Sequence, residues 1–383
     1  MNQKIRIFTD KYYSFLNESL SEVIQIKAFG LENIVSQRYK EYLKERLRIL
    51  LKKEVLLQKI GFIRGGSGNI INVIILFVAG MSIVAGNMTI GMLVSFCSYM
   101  EKFFEALSKI MELNLNKQEV VVSYERVNEI LNSEKEENNG IILKEPIQKI
   151  QFRQVIFGYK DNLVLKKIDL SIENPGLYSL VGSNGCGKST IFKLLERFYE
   201  CKVGKIEINQ VPINKYSASD LRNNIVYMPK KPFFLQGTIM DNLKLGQNEI
   251  SDLEVIEVCK KVGIHSDIQK LEKGYYELIE SGGENFSSGQ KQKLGFVRVL
   301  LKKADIVLLD EVTSDLDGEA ERQICNQIEE IAKKAIVLNI AHKPESIRRS
   351  KKVFFIQGGK IVAEGTHKAL MKNCVDYKKI FAN

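Results

Sequence analysis

Residues 182–190 combine glycines, a lysine and hydroxyl side chains at a spacing that is typical of phosphate binding. They read GSNGCGKST and fit the pattern G-x-x-x-x-G-K-S, after an apolar run at 177–181 and before an amphipathic pattern that continues to Phe198. In such a loop the backbone N–H groups face phosphate oxygens, the lysine supplies positive charge and the serine hydroxyl suits Mg²⁺. A glycine-rich turn without a ligand is the alternative, but a strand before the loop and a helix after it favour binding. We therefore predict a nucleoside triphosphate on Gly182, Ser183, Asn184, Gly185, Cys186, Gly187, Lys188, Ser189 and Thr190, with Ser189 also a ligand of Mg²⁺.

Two carboxylates follow another apolar run. Asp310 and Glu311 end the stretch IVLLDE at 306–311, whose apolar part is typical of a buried strand. A carboxylate at the end of such a strand can hold Mg²⁺, and a second one can take a proton from the water that attacks the terminal phosphate. The alternative is that the pair only begins a helix, and the phosphate-binding loop in the same chain argues against it. We predict Asp310 as a metal ligand and Glu311 as a general base.

One cysteine lies inside the glycine-rich loop. Backbone amides and Lys188 surround Cys186 with positive charge, which predicts that the pKa of its thiol is lowered. The alternative is that Cys186 is a small side chain that only fills space. Protection of the thiol from maleimide by Mg-ATP would favour the first interpretation.

The composition limits the class of protein. The chain has 383 residues and a net charge of +10, which allows two or three domains. The charge fits a nucleic-acid-binding protein, a protein beside an anionic membrane or a basic NTPase. The six cysteines form no C-x-x-C pair and the three histidines have no ligand spacing with them. We therefore expect reduced cytosolic thiols, no zinc site and no disulfide framework.

The first third predicts a partial transmembrane domain at 1–131. Residues 8–58 have apolar positions at helical spacing, typical of a helical bundle, and residues 65–100 contain no charged residue or histidine. A membrane span needs about 20 residues, so we predict membrane helices at about 65–86 and 89–113, joined by a turn at Gly86. Nine Lys or Arg against three acidic residues between Arg38 and Arg64 indicate that both ends lie inside. The charged residues from Glu101 onward line a cavity or belong to a cytoplasmic extension.

A polar, acidic stretch at 132–147 predicts a linker, and an α/β domain follows at 148–383. In this second part apolar, β-rich stretches alternate with helical patterns, which predicts a largely parallel core sheet with an antiparallel edge. The predicted strands lie at 150–157, 177–181, 225–228, 306–310, 335–340 and 353–356.

The ordered motifs from Ile150 to Leu370 resemble the nucleotide-binding domain of ATP-binding cassette (ABC) transporters. The resemblance implies that Tyr159 stacks on adenine and that His342 is the switch histidine at the γ-phosphate, a catalytic role. It also implies that 314–317, read as Ser-Asp-Leu-Asp, is the D-loop. The segment 286–290, read as Phe-Ser-Ser-Gly-Gln, is similar to the family's signature motif, so that Ser287, Gly289 and Gln290 would contact nucleotide on an opposing subunit.

Three residues depart from the family's pattern. Lys230 stands where a glutamine usually contacts Mg²⁺, and lysine has no lone pair for a cation, although its charge can approach phosphate. Phe286 replaces the usual leucine of the signature and Ser288 replaces its first glycine. The side chain of Ser288 crowds the backbone that approaches a nucleotide. We therefore expect that ATP still binds but that ATP hydrolysis is slower.

The first third also resembles the exporter branch of this family. The segment at about 8–32 is similar to the region of the second intracellular coupling helix, and 88–111 to the last membrane helix. Exporter halves carry six membrane helices before the cassette, so the resemblance implies that this chain holds the last two. A natural split subunit with the missing helices on another chain, a truncated gene and a piece of a longer protein all stay open.

Taken together, these patterns predict an α/β P-loop NTPase domain of the ABC type, preceded by an all-α partial transmembrane domain. The expected function is ATP hydrolysis, with Mg²⁺, that drives export of an amphipathic or peptide-like cargo. The expected location is the cell membrane, multi-pass, with the nucleotide-binding domain in the cytoplasm and a second cassette, identical or different, as partner. A remnant that binds ATP without transport is one alternative. A soluble ABC-type ATPase acting on nucleic acid is another, but positive charge flanking the predicted spans argues against a nucleic-acid partner.

Overall fold

The structure is a computed structural model of the chain. It describes residues 2–132, 136, 138, 140–247 and 249–381, except for the side chains of 2–7, 60, 63–69, 108, 111–119, 122, 126 and 281. Two compact units are present, Met1–Ser133 and Glu134–Asn383. Within the predicted linker, residues 133–135, 137 and 139 lie outside the described residues.

The first unit consists of helices joined by short turns. Its helices are α1 (Asn2–Ser21), α2 (Val23–Ala28), α3 (Glu32–Val84) and α4 (Ile90–Leu131). Because α3 is one helix of 53 residues, the last part of the amphipathic segment, 32–58, and most of the first predicted membrane helix belong to a single element. The turn after α3 contains Gly86 at φ +77°, a conformation that glycine adopts without strain. The Thr89 hydroxyl then accepts a hydrogen bond from the amide of Met92 at 3.3 Å, which caps the start of α4.

Aromatic side chains join α1 to α3. The hydroxyls of Tyr12 and Tyr39 lie 3.2 Å apart, and the rings of Phe15 and Tyr42 are 5.1 Å apart between centroids. The guanidinium of Arg46 lies 5.2 Å from the ring centroid of Tyr12, within the range of a cation–π contact. These contacts hold residues 12–15 of α1 against residues 39–46 of α3.

Farther along α3, large apolar side chains face away from the protein. Phe77 is 70%, Met81 64% and Val84 88% exposed, and apolar surface of this kind marks contact with lipid or with another protein. Across the residues that the structure describes, none of the helices has both the length and the apolar composition of a membrane span. The predicted spans at 65–86 and 89–113 include side chains, at 65–69, 108 and 111–113, that lie outside the described residues.

The second unit alternates strands and helices. Its strands are β1 (Lys149–Tyr159), β2 (Asn162–Glu173), β3 (Gly176–Val181), β4 (Val203–Ile208), β5 (Val211–Pro212), β6 (Ile225–Met228), β7 (Gly237–Thr238), β8 (Leu278–Ile279), β9 (Ile306–Asp310), β10 (Ile336–Ile340), β11 (Lys352–Gln357) and β12 (Lys360–Gly365). Its helices are α5 (Lys188–Leu195), α6 (Ala218–Asn223), α7 (Ile239–Lys244), α8 (Asp252–Val262), α9 (His265–Gln269), α10 (Ser288–Lys302), α11 (Gly318–Ala332), α12 (Pro344–Arg348), α13 (His367–Asn373) and α14 (Val375–Ile380).

The main sheet has six strands in the order β12-β11-β3-β10-β9-β6. Its neighbours pair in parallel except β12, which pairs with β11 antiparallel at one edge. The predicted α/β class is therefore confirmed. A second sheet, β2-β1-β4-β5, is antiparallel, and β7 pairs with β8 in a short third one.

The central strands of the main sheet are buried on both faces. In β9, Val307 and Leu309 belong to one apolar cluster and Leu308 belongs to the other, on the opposite face. Alternate residues of a strand point to opposite faces, so a strand covered on both sides must be apolar throughout. This explains why the run at 306–309 carried such a clear sequence signal.

The sheet register brings three strand ends to one edge. Ile340 of β10 is paired with Asp310 of β9 and with Leu180 of β3. Because ligands of open parallel sheets bind beyond the carboxyl ends of the strands, the loop after β3 and the carboxylates after β9 share one location.

Candidate active site

The glycine-rich loop at 182–190 joins β3 to α5 and leaves little room for side chains at two of its glycines. A Cβ on Gly182 would lie 2.2 Å from the carbonyl oxygen of Ile356, and a Cβ on Gly187 would lie 2.5 Å from Cδ2 of Leu165. Gly187 has φ +104°, in the region that side chains avoid. Close packing therefore fixes the loop, while its tip at 183–185 is exposed.

Lys188 is the first residue of α5, and its charge is turned back into the loop. Its Nζ donates hydrogen bonds to the carbonyl oxygens of Gly182 at 2.7 Å and Ser183 at 2.9 Å, and the residue is 6% exposed. Both of these partners are neutral carbonyl oxygens, so the ammonium can also attract an anion. The ammonium and the amides at the start of α5 are thus positioned together for phosphate.

Ser189 and Asp310 meet at the end of the sheet. The Ser189 hydroxyl donates a hydrogen bond to Oδ2 of Asp310 at 2.8 Å, and the Tyr227 hydroxyl donates to the same oxygen at 3.4 Å. Burial, together with the Asp310 carboxylate, raises the pKa of Tyr227, so Tyr227 is a hydrogen-bond donor at neutral pH. Tyr227 was not predicted as a site residue, because nothing in its local sequence relates it to Asp310.

These oxygens suit Mg²⁺. Among the described residues, no group of three or more His, Cys, Asp or Glu side chains has metal-binding geometry, whereas Ser189 and Asp310 present one hydroxyl and one carboxylate to each other. Mg²⁺ is usually held by one or two protein oxygens and completes its octahedron with water and substrate phosphates. The pair therefore fits Mg²⁺ that enters together with a nucleotide.

Glu311 is held in an unusual backbone conformation beside this pair. Its φ is +53°, and its amide donates a hydrogen bond to the carbonyl oxygen of Ile340 at 3.0 Å. A non-glycine residue in the left-handed region stores about 1–3 kcal/mol of strain and occurs most often at functional sites. The carboxylate Oε1 lies 3.0 Å from Nε2 of His342, so the structure brings together the two predicted catalytic residues.

The second oxygen of the Glu311 carboxylate is taken by Lys230. Nζ of Lys230 lies 2.5 Å from Oε2. Burial raises the pKa of Glu311, but Lys230 and His342 more than offset it and hold the pKa below its ordinary value. The same hydrogen bond raises the pKa of Lys230. The contact of Lys230 with the nucleotide stays a prediction.

Tyr159, the predicted adenine platform, lies in an aromatic cluster at the end of β1. Its ring meets those of Phe157 and Tyr199 edge to face, with centroids 5.0 Å and 5.1 Å away, and Nζ of Lys193 is 5.5 Å from its centroid. The Tyr159 hydroxyl is buried and has no hydrogen-bond partner among the residues that the structure describes. The stacking of adenine on this ring stays a prediction.

The signature-like segment begins α10. The Ser287 hydroxyl accepts a hydrogen bond from the Gln290 amide at 3.2 Å, and Oε1 of Gln290 accepts one from the Ser287 amide at 3.0 Å, which is a capping box. Gly289 follows a tight path, since a Cβ on it would lie 3.3 Å from the carbonyl oxygen of Asp315. Ser287 and Ser288 are exposed. Among the hydrogen bonds between described residues, none connects 286–290 with 182–190.

Lys343 organises the segment after Glu311 and was also missed in the sequence. Its Nζ donates hydrogen bonds to the carbonyl oxygens of Thr313 at 2.8 Å and Leu316 at 3.4 Å, and to Oε2 of Glu321 at 3.0 Å. One lysine thus ties the predicted D-loop to α11. Its position directly after His342 was the only signal available.

The prediction that the pKa of the Cys186 thiol is lowered was wrong. Burial raises the pKa of its thiol, and this effect exceeds the opposing charge of Lys188. The residue is 6% exposed and packs against the loop's own backbone, so the thiol is shielded from the solvent that a thiolate needs. Cys186 therefore fills space within the loop.

Comparisons with known proteins agree in both units. Residues 165–314 match the family described as ABC transporter, and residues 1–107 match the ABC transporter transmembrane region. The chain is 29% identical over 370 residues to the "ATP-dependent lipid A-core flippase" of Syntrophus aciditrophicus, a match that covers 96% of this chain and 62% of the relative. It is 38% identical over 235 residues to the "ABC multidrug transporter MDR2" of Trichophyton rubrum, covering 60% of this chain and 17% of the relative.

A solved structure has the same fold. The structure of a bacterial Atm1-family ABC exporter with ATP bound superposes with a TM-score of 0.89 at 24% identity, covering 100% of this chain and 68% of that chain. At this identity the likeness concerns the fold alone. The chain spans 62% of the length of the flippase, so it corresponds to a part of such proteins.

Proposed function

Because this chain belongs to the ABC transporter family, we propose that it binds and hydrolyses ATP as a subunit of a membrane exporter. The observation that carries the proposal is the convergence of Lys188, Ser189, Asp310, Glu311 and His342 beyond the ends of β3, β9 and β10. These residues come from three separate places in the sequence, and each has a chemical role in phosphoryl transfer.

The loop at 182–190 holds the phosphates in this proposal. Lys188 gives up its contacts with the Gly182 and Ser183 carbonyl oxygens for the terminal phosphates, and the amides at the start of α5 complete the cradle. Ser189 and Asp310 would hold Mg²⁺, which would supply positive charge that stabilises the transition state. Tyr227 supports Asp310 through its hydrogen bond.

Glu311 is the general base for hydrolysis. A water oxygen forms a bond to the γ-phosphorus, the bond from that phosphorus to the bridging oxygen of ADP breaks, and the water's proton passes to the Glu311 carboxylate. ADP leaves with the electron pair of the broken bond, and inorganic phosphate is the second product. His342 orients the carboxylate from 3.0 Å and, in this proposal, contacts the γ-phosphate.

A second cassette completes each site. The Ser287-capped start of α10 is the N-terminus of a helix of 15 residues, and the positive end of such a helix favours anions. We assign Ser287, Gly289 and Gln290 to the nucleotide that is bound by the loop of the partner cassette. Tyr159 stacks on the adenine within one chain.

The first unit anchors the subunit in the membrane. The exposed side chains of Phe77, Met81 and Val84 support contact with lipid or with membrane helices of another chain. One relative is named for lipid A-core and another for multidrug transport, and these names support an amphipathic cargo for this chain. A peptide-like cargo is also part of the proposal. The cassette would lie on the cytoplasmic side.

A complementation experiment tests the shared site. Lys188→Met disables the loop of one chain, and Ser287→Arg disables the signature of another. Each variant alone should lose at least about nine tenths of the ATPase activity of the wild type. A mixture, after dissociation and reassembly of the detergent-solubilised chains, should regain activity, since one site of the mixed dimer unites an intact loop with an intact signature.

The control is a mixture of Lys188→Met with the double variant, in which no intact site can form. Activity that stays absent in both mixtures contradicts the shared site. Wild-type chain that shows no ATP binding contradicts the proposed function as a whole. Recovery of the chain in the soluble fraction without detergent would favour the soluble ATPase, and ATP binding without turnover in any assembly would favour the remnant.

A further inference from the structure

Both oxygens of the Glu311 carboxylate are occupied. Oε2 lies 2.5 Å from Nζ of Lys230 and Oε1 lies 3.0 Å from Nε2 of His342. A general base must accept the water's proton on one of these oxygens. The ammonium and the imidazole each take one lone pair of the carboxylate, so fewer positions are left from which water can reach it.

The Lys230 contact is held from both of its ends. The carbonyl oxygen of Lys230 accepts a hydrogen bond of 2.5 Å from Nε2 of Gln292, a side chain of α10 that is 1% exposed. On the other side, the amide of Glu311 is bonded to the carbonyl oxygen of Ile340. The backbones of Lys230 and Glu311 are therefore both fixed by hydrogen bonds. Only their side chains need to be ordered for the ion pair to form.

The remaining exposure is unequal. The Glu311 side chain is 17% exposed and that of Lys230 is 55% exposed, so the lysine approaches from the solvent side of the carboxylate. Water and the ammonium both donate to a charged acceptor, but the ammonium adds the attraction between opposite charges. The lysine thus competes with water for the base.

We propose that Lys230 is a positioning residue that occupies the Glu311 carboxylate and slows ATP hydrolysis, an autoinhibitory contact built into the site. This inference rests on the proposed function, in which Glu311 is the general base. A neutral side chain at position 230 leaves Oε2 free for water. Since a partly exposed ion pair is weak, the expected gain is modest.

Steady-state ATPase of the full chain tests the inference. Lys230→Met should raise kcat by about twofold to fivefold and leave the KM for ATP within about twofold of wild type. Lys230→Arg retains a cation beside Glu311 and should stay as slow as wild type. Lys231→Met removes the same charge from an exposed neighbour and is the matched control, with no change expected.

A second measurement follows the contact itself. Acetylation of Lys230 by an N-hydroxysuccinimide ester, followed by mass spectrometry, should be about twofold to fivefold faster in Glu311→Gln than in wild type. The Lys231 rate should be equal in both proteins. The readout needs no turnover.

The outcomes separate the two levels of the argument. ATP binding by wild type, with a kcat that Lys230→Met leaves unchanged or lowers, overturns the inference and leaves the proposed function standing. ATP binding with no hydrolysis in either protein also overturns it, because freeing Glu311 released nothing. Equal acetylation rates in wild type and Glu311→Gln would show that the contact does not form in solution. Loss of ATP binding in wild type would count against the proposed function itself.

Discussion

The Ser189 hydroxyl donates a 2.8 Å hydrogen bond to Oδ2 of Asp310 across 121 positions of sequence. Ser189 follows β3 and Asp310 ends β9, and β10 lies between these two strands in the sheet. The pair exists because the three parallel strands end at the same level. Its two oxygens face the place where a metal-bound phosphate would lie in the proposed function.

Asp310→Asn tests that pair. The asparagine amide offers Mg²⁺ a single oxygen that carries no charge, so it is a weaker ligand than the carboxylate. Mg-dependent ATPase activity should therefore fall to below about a hundredth of wild type. Activity would be measured over a range of Mg²⁺ concentrations. Asp376→Asn is the matched control, because Asp376 is exposed on α14 and lies outside the predicted site; it should remain active. Full activity of Asp310→Asn at low Mg²⁺ would exclude the predicted role.

Glu311→Gln should retain ATP binding while turnover falls below about a tenth of wild type, since the amide cannot accept the proton of water. Binding of a fluorescent ATP analogue and release of phosphate would be measured on the same preparation. Glu319→Gln, an exposed change at the start of α11, makes the same chemical replacement outside the site. Retained turnover would remove Glu311 from the role of base.

Gly187→Ala should destabilise the second unit. At φ +104° a side chain is strained, and its Cβ would meet Leu165 at 2.5 Å, so we expect a loss of about 2–4 kcal/mol. Gly318→Ala is the matched control: its Cβ would have no neighbour within 4 Å, and it should be neutral or stabilising by up to about 1 kcal/mol. Urea unfolding followed by circular dichroism would compare them, and equal midpoints would contradict the packing of the loop.

Cys186 should react slowly with maleimide. Burial raises the pKa of its thiol, so the thiolate is scarce at neutral pH and the approach is blocked. Cys374, which is only half-buried, should be labelled first in the native protein, and the two rates should become similar in urea. Mass spectrometry of peptides gives both rates. Faster labelling of Cys186 than of Cys374 in the native state would restore the reactive interpretation.

His367 predicts a loss of stability at acid pH. Its Nδ1 lies 2.9 Å from the hydroxyl of Tyr377 in a buried contact, and burial, with help from Arg348, lowers the pKa of His367. The unfolded chain then binds a proton more readily than the folded one, so this stability is complete above the unfolded pKa of about 6.5 and declines as the pH falls below it.

The measurement is the thermal unfolding midpoint of wild type and His367→Gln between pH 8 and pH 5. The wild type should lose more of its midpoint than the variant as the pH falls, because glutamine does not titrate. Parallel declines in the two proteins would exclude His367 as the cause.

Loops and strands that can be recognised from neighbouring residues alone were predicted from the sequence. The loop at 182–190, the carboxylates at Asp310 and Glu311 and the runs that form β3, β6 and β9 were all readable, because a phosphate cradle needs glycines at fixed spacing and a strand buried on both faces needs an unbroken apolar run. The order of alternating strands and helices also determined the α/β class. The strands β2, β4, β5, β7, β8 and β12 were not predicted. Of these, β5, β7 and β8 have two residues each, which carry too little pattern.

The contacts between side chains that are distant in the sequence became known only from the folded protein. Lys230 and Glu311 are 81 positions apart, and Tyr227 and Asp310 are 83 apart, so no local pattern relates them. The pKa of Cys186 likewise depended on how deeply the loop is packed, which outweighed the nearby Lys188. Strand register and burial fix such distances, and a single sequence records neither. For that reason the residues of the site, Lys230 included, could be predicted from the sequence, whereas the contact between Lys230 and Glu311 could not.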